Sequence, residues 1–355
     1  MTNTDRLVQT FMNMVRVDSE SGNELKFAEY MMQLFRKLGA KTWKDSYGNV
    51  YIEIEGRGEP IMFNTHMDTV SPGVGIKPSV KNGYVVSDGT TILGADSKAG
   101  IAAMIEVITI LKEQNLPHRP LLITLTCNEE SGIPTAQHVK SKIKTCIVPD
   151  RGTPVGEIIT EAPYAQVYEV NITGKAAYAT TNFKKGRHAI LAAVDMIKKL
   201  PIGDIDKQTT SNVGIISGGI MTSMVPDHCR FKGSCYSFNK KSFDAYFKKL
   251  QKVIKEVDKK YKTSSKISML EYFGGFAIEK HDPLVKEVDQ AMRKSGIKPL
   301  YKVYKAVTNA NLLNQVGIKS VLLSTGVENQ HTVEERISIT SLNQVSEILL
   351  NTISI

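Results

Sequence analysis

Two adjacent carboxylates, Glu129 and Glu130, stand in Thr124-Leu-Thr-Cys-Asn-Glu-Glu-Ser-Gly132, directly after an apolar, β-branched run from Leu121 to Thr126. Neighbouring side chains leave an extended backbone in different directions, so one carboxylate can bind a cation while the other moves a proton. Alone, a Glu-Glu pair is more often a solvated loop tip. Ligand-type residues recur in the same setting elsewhere, however. His66 and Asp68 follow the apolar stretch Ile61 to Phe63, and Asp96 lies in Leu93-Gly-Ala-Asp-Ser-Lys-Ala-Gly100. Asp150 follows Cys146 to Pro149, and His331 lies in Gly326-Val-Glu-Asn-Gln-His331-Thr-Val-Glu334, after Val321 to Leu323.

In open α/β sheets the loops at the carboxyl ends of the strands converge, and sites are built there. Residues spread over most of the sequence can then meet in space. Gathered in one cleft, Asp68, Asp96, Glu129, Glu130 and Asp150 repel one another and raise one another's pKa values unless cations compensate. Two divalent ions would do so. Against three ligating carboxylates they leave a slightly electropositive centre, suited to polarising a carbonyl and acidifying water. Imidazole with carboxylate favours zinc, with cobalt or manganese as the other candidates.

The elements that must position these residues follow from hydrophobic spacing. Amphipathic helices are expected over residues 4–15 and 24–38, a hairpin over 41–44 and 49–55, and a strand over 61–64. A strongly apolar helix is expected over 98–114, a buried strand over 121–127, a helix over 132–141 and a strand over 146–149. Around Pro163 the rhythm changes to strands at 165–172, 212–217, 228–236 and 266–272, with helices at 187–200 and 241–261, a βαββαβ order. From Pro283 the first rhythm returns, with helices to Ser295, over 310–316 and over 341–352, and strands at 300–304 and 320–323. The fold class is therefore α/β. Residues 1–163 and 278–355 form a catalytic layer-sheet domain built from both chain ends, and 164–277 form an inserted βαββαβ domain.

Composition narrows the function. A chain of 355 residues with 41% apolar and 23% charged residues is ordinary for a soluble enzyme. No apolar run reaches the ~18 residues of a membrane span, since Glu106 interrupts Ala99 to Leu111. The start, Met1-Thr-Asn-Thr-Asp-Arg, lacks the marks of a secretory signal, so a cytoplasmic protein with reduced Cys127, Cys146, Cys229 and Cys235 is expected. The net charge of +9 comes partly from lysines filling the polar face of the helix at 241–261, without aromatic interleaving, so neither a nucleic-acid nor a membrane partner is expected.

The segments Asn-Thr-His-Met-Asp-Thr-Val, Leu-Gly-Ala-Asp-Ser-Lys-Ala-Gly, Glu-Glu-Ser-Gly and Gly-x4-His-Thr, in this order, resemble the co-catalytic zinc exopeptidases. That family includes peptidase T, carboxypeptidase G and the acetylornithine and succinyl-diaminopimelate deacylases. The wording is nearest to peptidase T, and the resemblance runs over nearly the whole chain. It implies two zinc ions per chain, one held by His66 and Asp150, the other by Glu130 and His331, with Asp96 bridging and a cis peptide bond from Asp96 to Ser97. Asp68 would orient His66, and Glu129 would be the general base. The inserted domain would act as lid and as the surface of a homodimer. His331 is supported in this wording by Thr332 and Glu334.

Several positions depart from the family's pattern. Tyr178 follows Gly174-Lys-Ala-Ala where relatives have the oxyanion-stabilising histidine, Ser223 replaces an amide donor, and Tyr236 stands where an arginine clamps the substrate carboxylate. Ser97 replaces the second Asp of Ala-Asp-Asp-Lys, and Ala306-Val-Thr-Asn309-Ala-Asn311 replaces Gly-Gly-Ser-Asp-Ala-Asn. Tyr178, Ser223, Tyr236 and Asn309 are the candidate substrate-binding residues. The expected function is hydrolysis of short peptides, in the manner of a tripeptide aminopeptidase. The alternatives are deacylation of N-acylated amino acids, or metal binding with weakened or lost catalysis.

Overall fold

Four strands, Leu121–Thr126, Ile61–His66, Thr145–Arg151 and Lys319–Ser324, run parallel in that spatial order. The first two are buried along their whole length, the third is buried except at its two ends, and the fourth except at Lys319. Burial on both faces explains why they read as continuous apolar runs rather than alternating ones. The computed structural model describes residues 2–355. The chain divides into two compact units, one comprising the stretch up to Glu161 with Phe276–Tyr304 and Thr308–Ile355, the other Ala162–Gly275 with Lys305–Val307.

In the first unit the expected hairpin forms from Lys41–Lys44 and Val50–Ile54 and joins the sheet beside Leu121–Thr126. The strand Glu157–Ala162 extends the other side, where it also pairs with Leu300–Val303. The helix Ala95–Glu113 lies between this sheet and the outer helices Thr4–Val15 and Ile339–Ile353, so nearly all its residues are buried. Such a position requires an apolar surface all round. Two charged residues are exceptions, Lys98 and Glu106; Glu106 is 2% exposed and satisfied by Arg6, whose Nε and Nη2 each donate to it at 2.8 Å.

The second unit is an antiparallel sheet in the order Gly203–Asp206, Thr209–Gly218, His228–Ser237, Tyr164–Thr173 and Ser264–Phe273. Helices Ala189–Lys199 and Lys240–Tyr261 bury their apolar stripes against Tyr168, Val170, Ile172, Phe231 and Cys235. This is the βαββαβ order with one extra edge strand, Gly203–Asp206. All four cysteines are free and buried. Among the described residues no helix is long and apolar enough to cross a membrane.

Besides the unexpected strands Glu157–Ala162 and Gly203–Asp206, further features differ from the expectation. No α-helix forms over 132–141; only Ala136–His138 makes a short 3₁₀ turn. Gly132 is left-handed, at φ 77°, and Thr135 turns its N–H and hydroxyl back to the carbonyl of Cys127, so the backbone is held by the preceding strand end. A small sheet of Ser79–Lys81, Tyr84–Val86, Val327–Glu328 and Arg336–Ser338 was not anticipated. Its strands are too short to show a period.

One glycine sets the distance between the central helix and the sheet. A Cβ at Gly100 would lie 2.4 Å from the carbonyl oxygen of Pro149, just before Asp150. Gly100→Ala gains about 1 kcal/mol of helix propensity, but forcing helix and strand apart costs roughly 1–3 kcal/mol. The contact is with backbone, which cannot rotate away, so packing wins. Gly100→Ala is expected to lower the urea unfolding midpoint; an unchanged or raised midpoint contradicts this packing.

Candidate metal centre

The carboxyl ends of the four parallel strands place the ligand-type residues. His66 ends its strand, which Asn64 pins to the neighbour by donating to the carbonyl and hydroxyl of Thr124 at 3.0 and 2.9 Å. His66 Nδ1 lies 2.9 Å from the carbonyl oxygen of Asp68. A carbonyl only accepts, so Nδ1 carries hydrogen and the neutral ring keeps its lone pair on Nε2. That nitrogen is 3.4 Å from Asp96 Oδ1 and 3.3 Å from Asp150 Oδ1. Asp150 Oδ1 is buried without a hydrogen bond. Ligand atoms about 2.0–2.1 Å from a tetrahedral ion are separated by roughly 3.3–3.4 Å. These three atoms therefore have the spacing of one coordination sphere.

Asp96 faces a second group with its other oxygen. His331 Nε2 lies 3.2 Å from Asp96 Oδ2 and 2.9 Å from Glu130 Oε1. His66 with Asp96 and Asp150, and Asp96 with Glu130 and His331, are each close enough to hold a metal ion, as are His66, Glu129 and Glu130. The two oxygens of Asp96 thus belong to two adjoining donor groups. The first is buried, His66 being 1% exposed, whereas His331 is 49% exposed.

Backbone contacts explain how the carboxylates stay in place. Glu335, almost fully buried, accepts from the N–H groups of Gly94 and Asp96 at 2.7 and 3.0 Å and fixes the turn that starts the central helix. The Asp96–Ser97 peptide is cis, and Ser97 Oγ accepts from the N–H of His66 and donates to its carbonyl. Asp68 accepts from the N–H groups of Glu129 and Glu130, both at 3.0 Å, and from the Ser21 hydroxyl at 2.6 Å. Its carboxylate therefore holds the Glu129–Glu130 turn, beside its 3.3 Å approach to His66 Nδ1. Gln330 donates to Asp96 Oδ2 at 2.6 Å.

The charges behave as crowding dictates. Burial, joined by the charges of Asp150, Glu130 and Asp96, holds the Glu129 carboxyl well above the usual range, with His66 opposing. Burial pushes Asp150 up to about 7. Hydrogen bonds to Asp96 and Glu130 raise His331 to about 10. Burial works against a charged His66, yet Asp150 and its other acidic neighbours raise its pKa well above normal. Asp96 moves the other way, below the usual carboxylate range: burial opposes this, but His331 and His66 outweigh it. Protons on imidazole and carboxyl groups thus balance the cluster, and divalent cations could take their place. Two imidazoles with carboxylates at these spacings fit such ions.

Glu335, Ser21 and Gln330 were not singled out from the sequence. Glu334, named there, is exposed, and its neighbour Glu335 faces inward. The candidate substrate residues lie in different places. Tyr178 is half-exposed on a two-residue ribbon opposite Met224, with Ser223 accepting from the N–H of Ala179 at 2.8 Å. Tyr236 lines a cavity of about 460 Å³ within the second unit, with Asp204, Asp206, Phe238 and Lys305. Asn309 is fully buried and donates to Thr126 Oγ1 at 2.8 Å, tethering its helix to a strand end.

Comparison with known proteins gives the same picture at the level of fold. An aminopeptidase PepT from Bacillus cereus superposes with a TM-score of 0.89 at 34% identity, covering 99% of this chain and 98% of that one. A Staphylococcus aureus tripeptidase superposes with a TM-score of 0.91 at 32% identity and the same coverage. The Bacillus subtilis protein YqjE is 33% identical over 363 residues, 99% of this chain and 98% of its own. The pattern of peptidase family M20/M25/M40 matches residues 62–354, and the chain belongs to that family.

Proposed function

We propose that the chain is a two-zinc exopeptidase that hydrolyses short peptides, acting as a tripeptide aminopeptidase. The observation that carries this reading is the division of Asp96 between two donor groups, its Oδ1 beside His66 and its Oδ2 beside His331. His66, Asp96 and Asp150 would hold one cation, and Asp96, Glu130 and His331 the other. When bound, the pair supplies Lewis acidity, polarising the scissile carbonyl and making water a nucleophile at neutral pH.

The chain's own groups then handle protons and position. Glu129 stands beside His66 and Glu130, its backbone fixed by Asp68. Burial and its acidic neighbours raise its pKa, which makes it a stronger proton acceptor than an ordinary glutamate. Its carboxylate takes a proton from the attacking water as the oxygen bonds to the carbonyl carbon. The same proton passes to the amide nitrogen as the C–N bond breaks. Asp68 acts by holding both His66 and the Glu129–Glu130 turn.

The same reading gives the second unit the parts of lid and homodimer surface, with Tyr178, Ser223 and Tyr236 as its substrate-contacting residues and Asn309 as a further one in the first unit. The exposed hydroxyl-bearing ribbon supports the first part. Supporting the second, Gly203–Asp206 pairs with only the start of Thr209–Gly218, and Ile215 and Ile216 beyond it are exposed. Four free, buried thiols fit a cytoplasmic setting.

Two outcomes are expected. Glu129→Gln keeps every proposed ligand and removes the proton acceptor, so kcat/KM on Ala-Ala-Ala should fall about 10²–10⁴-fold while zinc content is unchanged. Retained turnover contradicts the assignment. At pH 7 His331, raised to about 10, is protonated, and the pKa values of His66 and Asp150 are raised as well, so a cation must displace protons to bind. Zinc loading should release more than one proton per chain, and affinity should fall as pH drops from about 8 to about 6. Calorimetry in buffers of different ionisation enthalpy reads both, and uptake without proton release speaks against these ligands.

A further inference from the structure

Arg151 ends the strand Thr145–Arg151, one residue after Asp150. Its carbonyl accepts from the N–H of Thr325 at 2.7 Å, from the Thr325 hydroxyl at 3.2 Å and from the N–H of Thr153 at 2.9 Å, so its backbone is fixed. An arginine next to a crowd of carboxylates would ordinarily pair with one. Arg151 does not: successive side chains of a strand diverge, and its guanidinium carbon lies 4.4 Å from the ring centre of Tyr304. Among the described residues it forms no ion pair and no side-chain hydrogen bond. Half-buried, it gives up hydration for one aromatic face alone.

Tyr304 is anchored in turn, its N–H donating to the carbonyl of Glu161 at 2.9 Å. Its phenol feels both sides of this neighbourhood. Burial pushes it up to about 12, Arg151 works against that, and Asp150, Glu129 and Asp96 add to it. The ring thus lies against the guanidinium of the residue that directly follows Asp150. A ring contact of this kind uses none of the guanidinium's N–H groups, and these form the fork that matches a carboxylate.

We propose that Arg151, held against Tyr304, is the anchor for a substrate carboxylate, namely the C-terminal carboxylate of a short peptide. The inference rests on the peptidase reading above. A tripeptide cut after its first residue extends at most about 7 Å beyond the scissile bond, which limits the anchor to residues near the centre, and Arg151 directly follows Asp150 in its strand. It also places a bidentate cationic donor in the unit that holds the ligands, whereas position 236 carries a phenol.

The test uses zinc-loaded full-length protein, with Ala-Ala-Ala, its C-terminal amide, and Ala-Glu-Ala amide, which moves the carboxylate to a side chain. Wild type is expected to show a KM about 10- to 100-fold lower for the free acid than for its amide. In Arg151→Gln that ratio should collapse to near one, and Arg151→Lys should keep only part of it. An Arg151-dependent gain with the C-terminal acid supports the anchor, and a gain confined to Ala-Glu-Ala amide overturns its assignment to the C-terminal carboxylate. A ratio that is the same in wild type and Arg151→Gln overturns it. Calorimetric binding of the dipeptide Ala-Ala against its amide reads the anchor without turnover. If wild type hydrolyses none of the peptides but prefers the dipeptide acid through Arg151, the peptidase reading fails and the anchor stands; no acid preference in binding or turnover removes the anchor. Should Arg151→Gln misfold by circular dichroism, Arg151→Lys and Tyr304→Leu carry the same comparison.

Discussion

Repulsion among carboxylates governs this structure. Asp68, Asp96, Glu129, Glu130 and Asp150 are drawn from three strand ends and the start of the central helix into one place, and their surroundings answer that cost. Asp68 is neutralised locally by two backbone N–H groups and a hydroxyl. Asp96 is flanked by both histidines. Glu129 and Asp150 meet the field by raised pKa values. A cluster so arranged favours divalent cations, which concentrate positive charge in a small volume and can take the place of the protons.

The scaffold makes that crowding tolerable by being rigid beneath it. The strands below the cluster are buried apolar ladders, and Gly100 lets the central helix approach the strand of Asp150. Glu335 and Ser97 then fix Asp96 through backbone contacts rather than through its carboxylate. Rigidity is graded: the donor group around His66 is sealed, whereas His331 stands half-exposed on a loop residue with a left-handed backbone, φ 63°. Exchange with solvent is therefore easier on the His331 side.

Much of this was legible in the sequence, because fully buried parallel strands advertise themselves as apolar runs and the polar residue that follows each one is conspicuous. His66, Glu129, Glu130, Asp150 and His331 carried that signal, Asp96 was marked instead by its Leu-Gly-Ala-Asp-Ser-Lys wording at the start of the central helix, and all of them come together. Supporting contacts were not legible, since they depend on which backbone group a side chain meets after folding. Glu334 and Glu335 are chemically identical neighbours, and only the direction of the chain after His331 decides which is buried. The expected helix over 132–141 failed for a similar reason: its residues tolerate helix, but Thr135 binds back to Cys127. The pairing of Arg151 with Tyr304 spans more than 150 positions and leaves no local trace.

The account stands on two cations sharing Asp96. Anomalous diffraction from zinc-loaded crystals, recorded on both sides of the zinc absorption edge, measures this directly. Two peaks roughly 3.5–4 Å apart, one against His66 and Asp150, the other against Glu130 and His331, with an oxygen of Asp96 on each, are the expected result. A single peak, or density that does not touch Asp96, would contradict the account.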